Sequence, residues 1–108
     1  MGFVAYEVSM EMVKAVGPVI QTVARKDRAL ADQMRRAATS VPLNIVEGSR
    51  RRRLDRKHSY RIAAGSADEL RAAVRIACEW GYVDESSAAS VDALLNRELA
   101  LLWGLTKP

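Results

Sequence analysis

Val4, Val8, Met12, Ala15, Val19 and Val23 recur every three or four positions. That spacing lays one apolar stripe along a helix, which predicts a first helix over about residues 3–24. Gly17-Pro18 falls inside it and predicts a kink. Asp27 is a suitable N-cap for a second helix. The stripe of that helix is Leu30, Met34, Ala37 or Ala38, Val41 and Ile45, and it keeps its phase across Pro42. A proline that ended the helix would leave Ile45 no reason to stay in register. The pattern therefore predicts one bent but continuous helix over 28–47, in which Pro42 leaves the Ala38 carbonyl without its usual donor and open to the Thr39 or Ser40 hydroxyl, to water or to another chain. Gly48 is expected to end it as a C′ residue at positive φ.

Residues 49–53 form a short basic connection. A third helix is predicted from Leu54 or Asp55 to about Trp80, with a seam of Tyr60, Ala63, Ala67, Leu70, Val74, Ala77 and Gly81 at alternating steps of three and four. A second face carries Ile62, Ser66, Ala73, Ile76 and Trp80. Gly81 ends this helix, and Asp84 or Ser86 caps a fourth over about 86–104. Val91, Leu95, Leu99 and Leu102 lie on one face of the fourth helix, with Leu94, Leu101 and Leu105 on another. Short connections make consecutive helices antiparallel neighbours, so the prediction is an all-α, up-down-up-down antiparallel four-helix bundle, one domain over residues 1–108. The third and fourth helices carry more apolar surface than a single bundle core needs, which points to contacts between copies of the chain.

Composition agrees with an all-helical core. Hydrophobic residues make up 49% of the chain but aromatic ones only 6%, so the interior is built from Ala, Val, Leu, Ile and Met, a mix that favours helices. The one cysteine, Cys78, has no disulfide partner within the chain. Charges at Glu7, Glu11 and Lys14 interrupt the N-terminal apolar residues, so no signal peptide is expected, and no apolar run is long enough for a membrane helix. A soluble, cytoplasmic protein is the expectation.

Charge changes the picture more than composition does. Residues 25–61 hold twelve Lys and Arg against four Asp and Glu, a net of +8, whereas residues 1–24 are at −1 and residues 62–108 at −3. Arg50, Arg51, Arg52, Arg53, Arg56, Lys57 and Arg61 form the densest part. Glu47, in the last turn of the second helix, opposes the helix dipole and calls for compensation from Arg50–Arg53. The remaining cations exceed what one glutamate requires. They also lie at a helix N-terminus, where positive charge is unfavourable. A phosphate backbone would relieve that cost through ion pairs and counterion release, and arginine suits bidentate phosphate contacts. Tyr60 is the only aromatic residue interleaved with these cations, so no base-stacking platform is indicated and readout should be of backbone and shape. An acidic protein partner would satisfy the same charges, and the chain alone does not separate the two.

Candidate chemistry is sparse. Cys78 falls on an apolar face and reads as a small hydrophobe. His58 sits among Arg56, Lys57 and Arg61 and reads as a solvated residue or a nucleic-acid contact. One His and one Cys do not make a zinc site, and no Glu-x-x-His pair is present for a di-iron bundle. No phosphate-binding glycine loop or nucleophile elbow appears. Neither catalytic residues, a metal nor a cofactor is expected, and the reading points away from an enzyme.

The stretch "MRRAATSVPLNIVEGSRRR", followed by "YRIAAGSADELRAAVRIACEWGYV", resembles the small four-helix-bundle family named for proteins encoded in intervening sequences of 23S ribosomal RNA genes. The matching residues are Leu30 to Arg36, Ser40-Val41-Pro42, Asn44-Ile45 with Glu47-Gly48, Gly65-Ser66 with Glu69-Leu70, and Gly81-Tyr82. Pro42, Asn44, Glu47 and Gly48 form the most specific group. The resemblance implies a homopentameric ring. It also extends to the accessory variability proteins of diversity-generating retroelements, similar bundles that bind nucleic acid and the element's reverse transcriptase. The run of four arginines departs from many members, in which this segment is shorter or mixed.

Overall fold

The computed structural model describes residues 3–107. Four helices account for nearly all of them: α1, Phe3–Ala24; α2, Arg28–Ser49; α3, Arg53–Glu79; and α4, Glu85–Thr106. Each packs on its neighbours in sequence and α1 closes against α4, giving a bundle of 42 × 22 × 19 Å. The antiparallel register of α2 and α3 shows in two side-chain bridges, Gln33 to Glu69 and Ser40 to Ser66.

The core follows the predicted stripes. Val8, Met12, Val19 and Val23 of α1 are buried, while Val4 at its start is exposed and Ala5 takes its place. All six residues of the α3 seam from Tyr60 to Ala77 are buried. With Ala31, Ala37 and Ala38 facing from α2, these alanines let the backbones approach closely. On α4, Val91, Leu95 and Leu102 are buried. Leu94, Leu99, Leu101 and Leu105 are half-buried against the core rather than standing free of it. The fourth helix therefore has less spare apolar surface than its composition suggests.

Both prolines inside helices are accommodated without a break. α1 is continuous through Pro18, and α2 through Pro42, which is itself buried. Of the partners open to the Ala38 carbonyl, the two nearby hydroxyls turn elsewhere. Thr39 donates to the Arg35 carbonyl at 2.8 Å and Ser40 engages Ser66 at 2.7 Å, so neither serves Ala38. Asn44 instead donates its amide to the Ser40 carbonyl at 2.9 Å and to the Ser40 hydroxyl at 3.0 Å, one turn back across the proline.

Gly48 corrects another expectation. It lies inside α2, one residue before the helix ends at Ser49, and does not have positive φ; among the described residues only Gly81 does, at 76°. What Gly48 supplies is room. A Cβ there would stand 2.7 Å from Tyr60 Cε1 and 3.2 Å from the Arg56 carbonyl oxygen. The absent side chain lets the buried Tyr60 ring lie directly on the α2 backbone. α2 then ends at Arg50 in right-handed geometry, its N–H reaching the Glu47 carbonyl at 3.2 Å.

Candidate nucleic-acid interface

Arg50, Arg51 and Arg52 make the turn between α2 and α3, and Arg53 opens α3. Arg52 occupies the N-cap position in extended geometry and gives no side-chain cap. Asp55 supplies a negative charge to the first turn, on the favourable side of the dipole. All four arginines are exposed.

The structure divides these cations by role. Arg51 answers Glu47: its guanidinium donates through Nε at 2.9 Å and through a second nitrogen to the same carboxylate oxygen. That bond and the Glu47 charge raise the pKa of Arg51 above its ordinary value. Arg56 is half-buried and donates to the Arg51 carbonyl at 3.3 Å, which ties the turn's backbone to the first turns of α3. Lys57 is also half-buried. Arg50, Arg52, Arg53 and Arg61 are exposed and form no ion pair among the described residues. The seven predicted cations thus resolve into one that pairs with Glu47, two that are partly packed, and four that face solvent.

The motif residues are explained by the fold. Pro42 fills core space, Asn44 bonds back across it, Glu47 holds Arg51, and Gly48 admits Tyr60. Together they fix the end of α2 on which the turn is mounted. Tyr60 is buried and unavailable to stack a base. His58 is exposed and lines a shallow groove with Asn44, Glu47, Arg51 and Asp55. Cys78 is half-buried against the core, and burial pushes its thiol pKa up, as suits a small hydrophobe. No cluster of three or more metal-ligating side chains occurs among the described residues, and none of the four helices is long and apolar enough to cross a membrane.

One functional-looking group escapes the stripe analysis. Glu98 of α4 is fully buried, and neither carboxylate oxygen has a hydrogen-bond partner. Burial pushes its pKa up to about 8, against the opposing charge of Arg97. The signal was present in the spacing: the buried face of α4 steps through 91, 95, 98 and 102, and a stripe drawn through Leu99 instead of position 98 passes it by.

A bundle of four antiparallel helices with a bare basic turn at one end defines a class of small helical proteins. Within that class the chain belongs to the family described as 23S rRNA-intervening sequence protein, which matches residues 2–104. It is also similar to the crystal structure of a protein of unknown function from the S23 ribosomal protein family of Bacteroides thetaiotaomicron. The TM-score is 0.88 at 19% identity, covering 96% of this chain and 99% of that one, which shows a shared fold. No curated protein matches the chain.

Proposed function

We propose that this protein is a non-catalytic, oligomeric nucleic-acid-binding bundle of the cytoplasm, which holds RNA or DNA by its backbone through the α2–α3 turn. The observation that carries the reading is the set of four exposed arginines, Arg50, Arg52, Arg53 and Arg61, without an acidic partner among the described residues. Folding alone does not account for most of them, since Arg52 and Arg53 crowd the positive end of the α3 dipole and Arg61 pairs with no acidic side chain among the described residues. Phosphates would satisfy all four, and contacts of that kind carry little base preference.

Family resemblance adds a pentameric ring and, as a protein partner, a reverse transcriptase. Leu43 and Val46 on α2 and Ile62 and Ile76 on α3 are exposed and supply apolar surface for such an assembly. On this reading the subunit contact falls on α2 and α3 rather than on α3 and α4. A ring repeats the basic turn once per subunit, and the repeated sites reinforce one another on a long strand.

The test replaces Arg50, Arg51, Arg52 and Arg53 with Ser and compares binding to unrelated RNA and DNA over a salt series. The expected result is a uniform loss of affinity and a flatter dependence on salt, because fewer counterions are released. Light scattering should show the same assembly for both proteins. Equal affinities and equal slopes would transfer the basic turn to the competing role, docking of an acidic protein.

A further inference from the structure

We infer that the groove between α3 and α4 beside Arg61 is a stacking site for one unpaired base of a single-stranded nucleic acid, with Trp103 as the stacking surface. The inference rests on the nucleic-acid reading above and assigns it a strand type. It starts from Trp103, which is 68% exposed although it sits on the helix that closes the core. The indole stands at the rim of a groove of about 690 Å³ that it shares with Arg61. That volume falls within the roughly 300–1,000 Å³ typical of sites for small organic groups.

Three features fit a flat, anionic occupant. Arg61 is the last residue of the basic series that begins at Arg50, and it has no ion-pair partner among the described residues. The groove therefore continues the basic surface onto the side of the bundle. Its far end is already neutralised, because Arg71 bonds both Asp68 at 3.2 Å and Asn96 at 2.8 Å. The unmatched charge is thus confined to the end that holds Trp103. Finally, Ala64, Gly65 and Ala100 line the groove with no side chain longer than a methyl group.

Gly65 makes the point sharper. It lies in the middle of α3, where glycine weakens a helix. Its φ is not positive, and a Cβ there would meet nothing within 4 Å. Neither backbone geometry nor packing inside the bundle requires glycine at this position. Its effect is to keep the α3 side of the groove free of any side chain at this position. A base laid across it would stack on Trp103, and its phosphate would fall to Arg61. Bases in a duplex are already stacked and paired, so the site selects single strands. This surface was invisible in the sequence because Trp103 and Arg61 are 42 positions apart and meet only when α4 folds back along α3.

Trp80 is the one other tryptophan, so Trp80→Phe gives a background in which indole fluorescence reports Trp103 alone. Oligo(U) and oligo(dT) should both quench that signal, whereas a mixed-sequence duplex at equal phosphate concentration should leave it unchanged. Trp103→Ala should weaken single-strand binding by about 5- to 150-fold, the range for losing one stacked base, and leave duplex binding unchanged. Gly65→Leu keeps the indole and fills that side of the groove, and should reduce single-strand binding without lowering the melting temperature. Single-strand affinity that ignores both substitutions overturns the inference while leaving the phosphate-binding role of the turn intact. A change in assembled mass in Trp103→Ala also overturns it, because the groove would then be a contact between copies of the chain. Failure of the wild type to bind any strand or duplex at low salt removes the functional proposal and this site together.

Discussion

The two ends of the bundle are built on opposite principles. At one end the α1–α2 and α3–α4 turns are closed by local chemistry. Asp27 caps α2 by accepting from the Leu30 N–H at 3.0 Å, and its second carboxylate oxygen accepts from the Tyr82 hydroxyl at 3.2 Å, joining the two turns. α3 stops at Gly81, whose φ of 76° suits glycine, while the Tyr82 N–H reaches back to the Ala77 carbonyl at 2.9 Å. Asp84 caps α4 through the Ser87 N–H at 2.8 Å and also accepts from Ser86. These bonds to Ser87 and Ser86 hold its pKa below the ordinary carboxylate range. At the other end the α2–α3 turn has a bare N-cap at Arg52 and arginines where a helix N-terminus favours acids. A turn that leaves its helix N-cap bare and sets arginines beside it, in a protein whose other turns cap theirs with aspartate, is shaped by something besides folding.

The largest expected effect belongs to neither end and has to be removed before they can be compared. Glu98 is buried, and its pKa is about 8 in the folded protein against an ordinary 4.5. The folded state therefore keeps a proton that the unfolded chain has released. Stability is fully present below about 4.5 and is lost as pH rises through 8, with a slope of up to about 1.4 kcal/mol per pH unit. Glu98→Gln should abolish that slope in denaturant melts. A wild type whose stability is flat from pH 5 to 8 would mean that the carboxyl is not held protonated in the core.

Next in size is Gly48→Val, which tests how firmly the basic turn is mounted. The new side chain would drive into Tyr60 and the Arg56 carbonyl. Overpacking of this kind costs about 1–3 kcal/mol, and here the upper part of that range is expected because one obstacle is backbone. Gly48→Ala should cost less but remain measurable. A Val variant that melts like the wild type would show that the α2–α3 end yields easily.

Gly81→Ala probes the well-capped end and should cost about 1–2 kcal/mol through strain at positive φ. Asp84→Asn tests the same end by pH. The depressed pKa of Asp84 means that its contribution is present above the ordinary carboxylate pKa and disappears as pH falls through the folded value. Acid melts of the Asn variant should lack that final loss.

The smallest effect is the most telling about the comparison. Arg52→Asp places a capping carboxylate at the bare N-terminus of α3 and should raise stability by about 1 kcal/mol. The same substitution should weaken nucleic-acid binding. A variant that gains stability and keeps full affinity would separate the arginine from any ligand.

How far each feature could be read in advance depended on whether its cause is local. The helix cap at Asp27, the end of α3 at Gly81 and the continuity of α2 through Pro42 all follow from contacts within a few residues, and residue type and periodicity were enough to place them, while the cap of α4 was narrowed to Asp84 or Ser86 and is Asp84. The Glu47–Arg51 pair is equally local, at a spacing of one helical turn. Gly48 was misread because a glycine near a helix end has two explanations, and the one that applies involves Tyr60 on another helix. The surplus of apolar residues on α4 was overestimated for a similar reason, since Leu94, Leu101 and Leu105 find partial cover against neighbours that a single-helix projection does not include.

The amino-acid sequence by itself thus determined the four helices, their order and the concentration of positive charge in one turn, because propensity, phase and capping act over one or two turns of chain. Only the tertiary structure decided how far the remaining cations are covered, since Arg56 and Lys57 are partly packed while Arg50, Arg52, Arg53 and Arg61 face solvent. It alone decided between positions 98 and 99 for the buried face of α4, and put Trp103 beside Arg61. Burial and juxtaposition arise when helices far apart in the chain share a surface, and no property of one helix contains that information.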